Sequence, residues 1–352
     1  MECRETGLLR KVKNDKRAGA ALFAESISVF LFFMKPRSIR YSIIIPVYNR
    51  PEEVDELLAS LVAQTFQDFE VVLVEDGSTR TCRHLLDKYA TLSIQYLYKP
   101  NSGPGPSRND GFAIAKGSYF VVFDSDCIIP PQYLEVVEKS LRVNQWDAWG
   151  GPDKAHHDFT LLQQAMGYTM ASVFTTGGIR GGKQRVGWFQ PRSFNMGLSR
   201  KVFEVTGGFQ LDRFAEDIDL SIRMRNAGFK VGLIEEAFVY HKRRTTFQQF
   251  FKQVYNFGRG RVLVGKLFPG EVKLTHWFPT AFTVGLFFWL ISLLFSPILF
   301  LLGTSFLAAY LFAIMVHGSY LYKNIFVGLL SIPAAIIQLT GYGLGFISEK
   351  LK

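Results

Sequence analysis

The chain has 352 residues, a net charge of +10, 48% hydrophobic and 15% aromatic residues, and three cysteines. That length holds one large domain or two smaller ones with an ample core, and 33 Phe are heavy for a purely soluble protein. Cys3, Cys82 and Cys127 stand at no metal-ligand or redox spacing, which excludes a disulfide scaffold and argues for a reducing compartment.

Both excesses are local. Residues 1–40 carry nine Lys/Arg against four acids and residues 241–273 carry eight against one, so the remainder is slightly acidic. Residues 274–322 and 324–348 hold no Asp, Glu, Lys or Arg. Charge-free apolar stretches of that length read as membrane spans, placed near 280–302, 304–321 and 325–347. A buried soluble bundle is the competing reading, and Pro333 with several glycines leaves a re-entrant or interfacial segment as the alternative for the third. Basic residues beside the first span put the preceding domain on the cytoplasmic face of the cell membrane and suit anionic lipids. Because the basic segments flank the apolar ones, the charge points to membrane lipid and not to nucleic acid.

In chain order, residues 1–40 form a basic and apolar extension. It resembles a signal-peptide layout without a small-residue cleavage site. The alternatives are a short anchor, an interfacial helix or an over-extended start, with Met34 as initiator. Residues 41–46 predict the first strand. Pro51 then suits the first turn of a helix, and Val54, Leu57, Leu58, Leu61 and Val62 follow at helical spacing. Residues 69–74 predict a second strand, followed by a helix near 81–90, a strand near 94–98, a helix near 106–116 and a strand over 119–123. This alternation predicts an α/β fold, a Rossmann-like, doubly wound and mostly parallel sheet. No Gly-x-Gly-x-x-Gly follows the first strand, so a dinucleotide-type phosphate cradle is not expected.

The run Val121-Val122-Phe123-Asp124-Ser125-Asp126 is apolar and ends in two carboxylates one residue apart. Such carboxylates repel unless a cation lies between them. Hard divalent ions take one or two carboxylates together with substrate phosphates. Ligands of open α/β sheets bind beyond the carboxyl ends of strands, where these acids fall. The pattern therefore points to a metal–diphosphate site, with a solvated turn as the alternative. Tyr48 and Asn49, then Glu75 and Asp76, end the first two strands; an aromatic ring and carboxylates at one sheet edge suit a nucleoside. Arg108 opens the third helix and is offered to phosphate. Taken singly, each of these is also what a turn or helix cap uses.

The segments Pro46-Val47-Tyr48-Asn49, Val74-Glu75-Asp76-Gly77-Ser78, Arg108-Asn109-x-Gly111 and Asp124-Ser125-Asp126 together resemble the family 2 glycosyltransferases and their A-type nucleotide-diphospho-sugar fold. The resemblance runs from residue 41 to 241, with Glu75 where the family usually has Asp. It implies that Pro46, Tyr48, Asn49, Asp76, Arg108 and Asp124 bind the nucleotide. Asp126, Asp124 and His241, the last after a strand over 230–240, would hold a divalent metal, Mg²⁺ or Mn²⁺. Phe194-Asn195-Met196-Gly197 is similar to the segment lining the sugar and acceptor pocket, so Asn195, Trp188 and Glu216 are expected there. Glu216-Asp217, opening a helix over 217–227, resembles the acidic pair that carries the catalytic base, assigned to Asp217; a charge complementing the helix dipole is the alternative.

Four regions are expected: the extension 1–40, a catalytic domain 41–245, a basic amphipathic interfacial helix 246–273, and a membrane region 274–352 of about three helices. Processive members carry Gln-x-x-Arg-Trp near the interfacial helix, whereas this chain has Gln253 without the matching Arg and Trp. The resemblance thus implies an inverting, hexosyltransferase-like enzyme that adds one sugar, from a nucleotide-sugar donor (UDP-linked) to a lipid-linked or glycan acceptor, in polysaccharide or glycoconjugate synthesis. The alternatives are a polyprenyl-phosphate sugar synthase and a non-catalytic sugar-nucleotide-binding scaffold. A transporter is least supported, since no intramembrane charge marks a path.

Overall fold

The computed structural model describes residues 39–154, 159–176, 188–242 and 244–352. The expectations for the N-terminal extension, including Met34, lie outside the described residues. From Arg40 to Lys352 the chain packs as one unit.

The first half follows the alternation that the sequence predicts: β1 (Tyr41–Val47), α1 (Pro51–Val62), β2 (Phe69–Asp76), α2 (Leu85–Lys88), β3 (Ile94–Lys99), α3 (Pro104–Ile114) and β4 (Tyr119–Phe123). Next come β5 (Cys127–Ile128), α4 (Tyr133–Asn144), β6 (Ala148–Gly150), β7 (Asp153–Lys154), α5 (Leu161–Ala171) and α6 (Val173–Thr176). β8 (Asn195–Ser199), α7 (Arg200–Thr206), α8 (Glu216–Asn226), β9 (Val231–Leu233) and β10 (Val239–His241) complete the globular part. The main sheet has the order β3-β2-β1-β4-β8-β6-β9, and β5, β10 and β7 form a small second sheet. All pairs in the main sheet are parallel except those of β8 with β4 and β6.

Strand alternation sorts the core into two layers. Ile43, Ile45, Val71, Leu73, Val121 and Phe123 face Val54, Leu57, Leu58 and Leu61 of α1. Ile44, Val72, Val74, Phe120 and Val122 face Phe112 of α3 and Leu220 and Met224 of α8. All are fully buried, so a truncation such as Leu58→Ala costs about 2–5 kcal/mol. Both sheet faces are covered, hence the near-continuous apolar strands.

Two elements differ from expectation. The helix near 81–90 shortens to Leu85–Lys88, because the preceding loop is tied elsewhere: the Cys82 amide donates to Glu75 Oε2 at 2.8 Å. The single strand over 230–240 is two short strands in different sheets, turned by the backbone bond from Ala237 N to Ile234 O.

The C-terminal part holds α9 (Phe247–Leu267), a 3-10 turn (Leu274–Trp277), α10 (Phe278–Phe295), α11 (Pro297–Tyr322) and α12 (Ile325–Lys350). The last three are long and apolar enough to cross a membrane. The first break falls at Ser296 and not near 303: Pro297 has no N–H to continue the ladder and Ser296 Oγ caps the next helix. The apolar stripe of α9 expected to lie on lipid is taken by protein. Phe250 and Val254 pack against Met166 of α5 and Ala334 of α12. Gly258 and Gly345 let α9 and α12 touch backbone to backbone; a Cβ there would stand 2.1 Å from Tyr342 O and 2.0 Å from Tyr255 O.

α12 lies across the base of the α10–α11 hairpin. Its early residues meet the end of α11, where Ala335 packs with Ile314. Its later residues meet the start of α10: Thr283 donates to Leu339 O at 3.3 Å, and Trp277 meets Phe346 ring to ring at 4.8 Å. Its other face rests on α5 and α9, ending in the Arg259–Glu349 ion pair at 2.8 Å. Arg259 in turn covers the ring of Phe214.

Candidate active site

Strand order reverses around β1, whose neighbours β2 and β4 are reached by crossovers in opposite directions. Such a switch point opens a crevice at the carboxyl ends of the strands. A cavity of about 1720 Å³ lies there, lined among others by Pro46, Tyr48, Asp76, Arg108, Asp124 and Asp126. Trp188, Glu216, Asp217 and His241 line it as well.

Tyr48 follows β1 and is 54% exposed, so its ring is available to stack. Asn49, expected at the nucleotide, organises the neighbouring loop. Its backbone is left-handed at φ +54°, and its Oδ1 accepts the amides of Thr79 (2.8 Å) and Arg80 (3.0 Å), which fixes the loop after β2. Asp76 ends β2 and accepts the amides of Ser102 and Gly103 at 2.8 and 2.9 Å, tying that loop to the mouth of α3.

Arg108 is buried in α3 and both its Nη groups are engaged. Nη2 donates to Asp124 at 2.8 Å and Nη1 to Glu216 at 2.9 Å. Burial disfavours its charge, and the two carboxylates more than offset that, holding it protonated. Expected as a phosphate contact, Arg108 is here a clamp between the end of β4 and the start of α8.

Asp126 is nearly buried and receives Arg50 Nη1 at 2.5 Å and His241 Nε2 at 3.0 Å. His241 is delivered by β10, which pairs with Cys127 of β5 in antiparallel register, and its ring stacks on Phe194 at 4.9 Å. Burial would raise the Asp126 carboxyl, but His241, Arg50 and Arg244 hold it well below the usual carboxylate range. The ligand atoms of Asp126, Cys127 and His241 lie within 4.8 Å of one another. A carboxylate oxygen and an imidazole nitrogen, with Asp124 close in sequence, fit a divalent ion such as Mg²⁺ or Mn²⁺. Burial pushes the Cys127 thiol up, and a neutral thiol is no ligand for a hard cation.

Asp217 opens α8 with Arg192 Nη1 3.4 Å from its Oδ2. Ala215, just before the Glu216–Asp217 pair, adopts φ +59°, a costly conformation for a residue with a Cβ. Trp188 packs beside Ile218 and Ile222 under the Arg225 guanidinium, 4.3 Å from the ring. Asn195 is fully buried, accepting from the Tyr133 hydroxyl at 2.6 Å and donating to Ala237 O at 2.9 Å. It braces the sheet beneath the site and does not line the cavity. Arg50 and Arg192 carry no motif signal; only the need of Asp126 and Asp217 for counter-charge could have pointed to them.

Residues 42–205 match the model for glycosyl transferase family 2. The chain carries a family 2 glycosyltransferase domain. An uncharacterized glycosyltransferase of Rickettsia bellii is 36% identical over 112 residues, 31% of this chain and 16% of that protein. The poly(ribitol-phosphate) beta-N-acetylglucosaminyltransferase TarS of Staphylococcus aureus is 32% identical over 130 residues, 36% of this chain and 21% of that one. The chain thus spans well under half the length of these curated relatives. Among solved structures, the mannosyltransferase PcManGT of Pyrobaculum calidifontis, in complex with GDP-Man and Mn²⁺, superposes with a TM-score of 0.60 at 17% identity, over 85% of this chain and 87% of that one. That likeness establishes the A-type glycosyltransferase fold.

Proposed function

We propose that this glycosyltransferase is a membrane-associated, metal-dependent, inverting enzyme. It transfers one sugar from a nucleotide-diphospho-sugar, UDP-linked, to a hydroxyl of a lipid-linked or glycan acceptor at the cytoplasmic face of the cell membrane. The observation that carries the reading is that Asp124, Asp126 and Asp217 line one cavity with Tyr48 at its donor end.

The Tyr48 ring stacks on the base, and the Asp76 and Asp124 carboxylates border the nucleoside and ribose. Asp217 takes the proton of the acceptor hydroxyl as that oxygen attacks the anomeric carbon from the face opposite the diphosphate. The bond to the diphosphate oxygen breaks with its electron pair, and the sugar inverts. Asp126 and His241, with Asp124, would hold the divalent ion, which when bound neutralises the departing diphosphate. The relative complexed with GDP-Man and Mn²⁺ supports a metal here without fixing its identity.

The packing of α12 supports a two-helix anchor. Its segment from Ala334 to Glu349 lies against α5 and α9, and the nine residues before it reach about 14 Å, short of the ~30 Å hydrocarbon core. α10 and α11 cross the membrane as a hairpin, and α12 stays on the catalytic side.

The test is release of nucleoside diphosphate from UDP-, GDP- and dTDP-sugars by detergent-purified protein with membrane lipid extract, with and without chelator. One donor should turn over, dependent on metal and lipid, and Asp217→Asn should cost about 10²–10⁴-fold. No metal-dependent binding of any donor would bring the scaffold reading forward, and turnover that survives Asp217→Asn would favour polyprenyl-phosphate sugar synthesis.

A further inference from the structure

The cavity does not end at Asp217. It continues past Arg192 to a wall made by α9, by the turn before α10 and by α12, where Arg261, Lys273, Thr275 and Tyr342 line it. Arg192 is paired with Asp217, and Glu271 on the same wall is taken by Arg225 at 2.8 Å. Among the described residues neither Arg261 nor Lys273 forms an ion pair. Burial pushes the Arg261 guanidinium down, and the neighbouring Arg192 charge adds to it, against Tyr342 and Asp217. The wall therefore carries cationic charge in excess of its carboxylates, part of it buried, and an anion would stabilise it.

The depth of this wall fixes what kind of anion reaches it. Lys273 and Thr275 stand immediately before the first apolar helix, whose side chains from Phe278 to Phe295 are largely exposed. Charge-free helices of that length set the adjoining turn at the level of lipid head groups. Arg is suited to phosphate because its planar fork donates two parallel bonds.

We infer that Arg261, Arg192 and Lys273 form a seat for the phosphate of a lipid head group, so that the acceptor is a lipid-phosphate-linked saccharide or polyol. This rests on the transferase reading and names its acceptor class. The phosphate anchors the head on the membrane side of the cavity and presents a neighbouring hydroxyl to Asp217.

Binding is measured in detergent micelles by native mass spectrometry with three probes: dioleoyl phosphatidic acid, dioleoylglycerol and inorganic phosphate. Wild-type protein should retain phosphatidic acid at least about tenfold more strongly than dioleoylglycerol, as expected of a charge-assisted contact, and inorganic phosphate should compete only weakly. Arg261→Gln and Lys273→Gln should each weaken phosphatidic acid by about tenfold or more, Arg261→Lys by less. Lys266→Gln, exposed on the same helix and outside the cavity, should match wild type. UDP binding in the same preparations shows that each variant is folded and tests the donor site separately. Equal retention of the neutral and anionic lipids, unchanged binding by both Gln variants, or competition by inorganic phosphate at equal concentration overturns the seat. If wild type binds none of UDP, GDP and dTDP, the transferase reading falls, whatever the lipid result.

Discussion

Gly260 of α9 stands directly against Ala215, the left-handed residue that launches Glu216 and Asp217; a Cβ on Gly260 would lie 3.0 Å from the Ala215 methyl. α9 thus touches the turn that aims the proposed base. Gly260→Ala should therefore lower turnover about three- to tenfold with UDP binding unchanged, since a displacement of the base outweighs its small cost in stability. Gly260→Val should lower it further. Steady-state kinetics beside UDP titration checks this, and equal activity in all three proteins would remove any role for the contact.

The Arg108 clamp makes a prediction about stability. Arg108→Ala would leave Asp124 and Glu216 facing each other without their shared cation, at about 3–5 kcal/mol. Arg108→Lys keeps the charge but cannot donate to both acids from one planar group, so its loss should be intermediate. Chemical denaturation midpoints of the three proteins decide it. An Arg108→Ala protein as stable as wild type would mean the carboxylates are solvated and the clamp is decorative.

Much of the cavity's sheet edge was legible in the sequence because strands announce themselves by buried, β-branched runs and end where polar residues begin. Tyr48, Asp76, Asp124 and Asp126 all follow that rule, and the cavity collects them. Asn49 and Asn195 sit in equally suggestive segments, yet the Asn49 Oδ1 holds a loop and both ends of the Asn195 amide brace the sheet. Side-chain direction within a motif is set by tertiary partners that sequence spacing does not encode. Arg50 and Arg192 carry no local signal for the same reason: each finds its carboxylate across the fold, Arg50 as far as 76 residues away. The apolar helices are legible from composition, and Pro333 with its neighbouring glycines already sets the third apart; that α12 packs on protein while α10 and α11 face outward is decided by its tertiary partners.

That difference predicts a topology. Single cysteines at Lys139, on the exposed side of α4, and at Lys352, after α12, should react with a membrane-impermeant maleimide from the same side of sealed vesicles. Three crossings would put position 352 on the opposite side from position 139. Labelling of the two positions from opposite faces would therefore restore α12 as a third span.

The start of β1 carries a pH-dependent staple. Glu138 of α4 accepts the Tyr41 hydroxyl at 2.6 Å and Arg40 Nε at 2.9 Å. Burial favours the neutral acid, but bonds from Tyr41, Arg40 and Arg142 prevail, so the folded-state pKa lies below the ordinary 4.5. A depressed acid stabilises the fold fully above its unfolded value and loses that contribution as pH falls through the folded value. The staple should thus be intact at neutral pH and fail below about pH 4.5. Glu138→Gln keeps an acceptor for Tyr41 and abolishes the charge. It should lower stability by about 1.5–3 kcal/mol at pH 7, the range for hydrogen bonds to a charged group. Its deficit relative to wild type should shrink as both are taken toward pH 3. Denaturation curves at pH 7, 5 and 3 measure this directly: a deficit that stays constant across the three would show that Glu138 acts through packing and not through its charge.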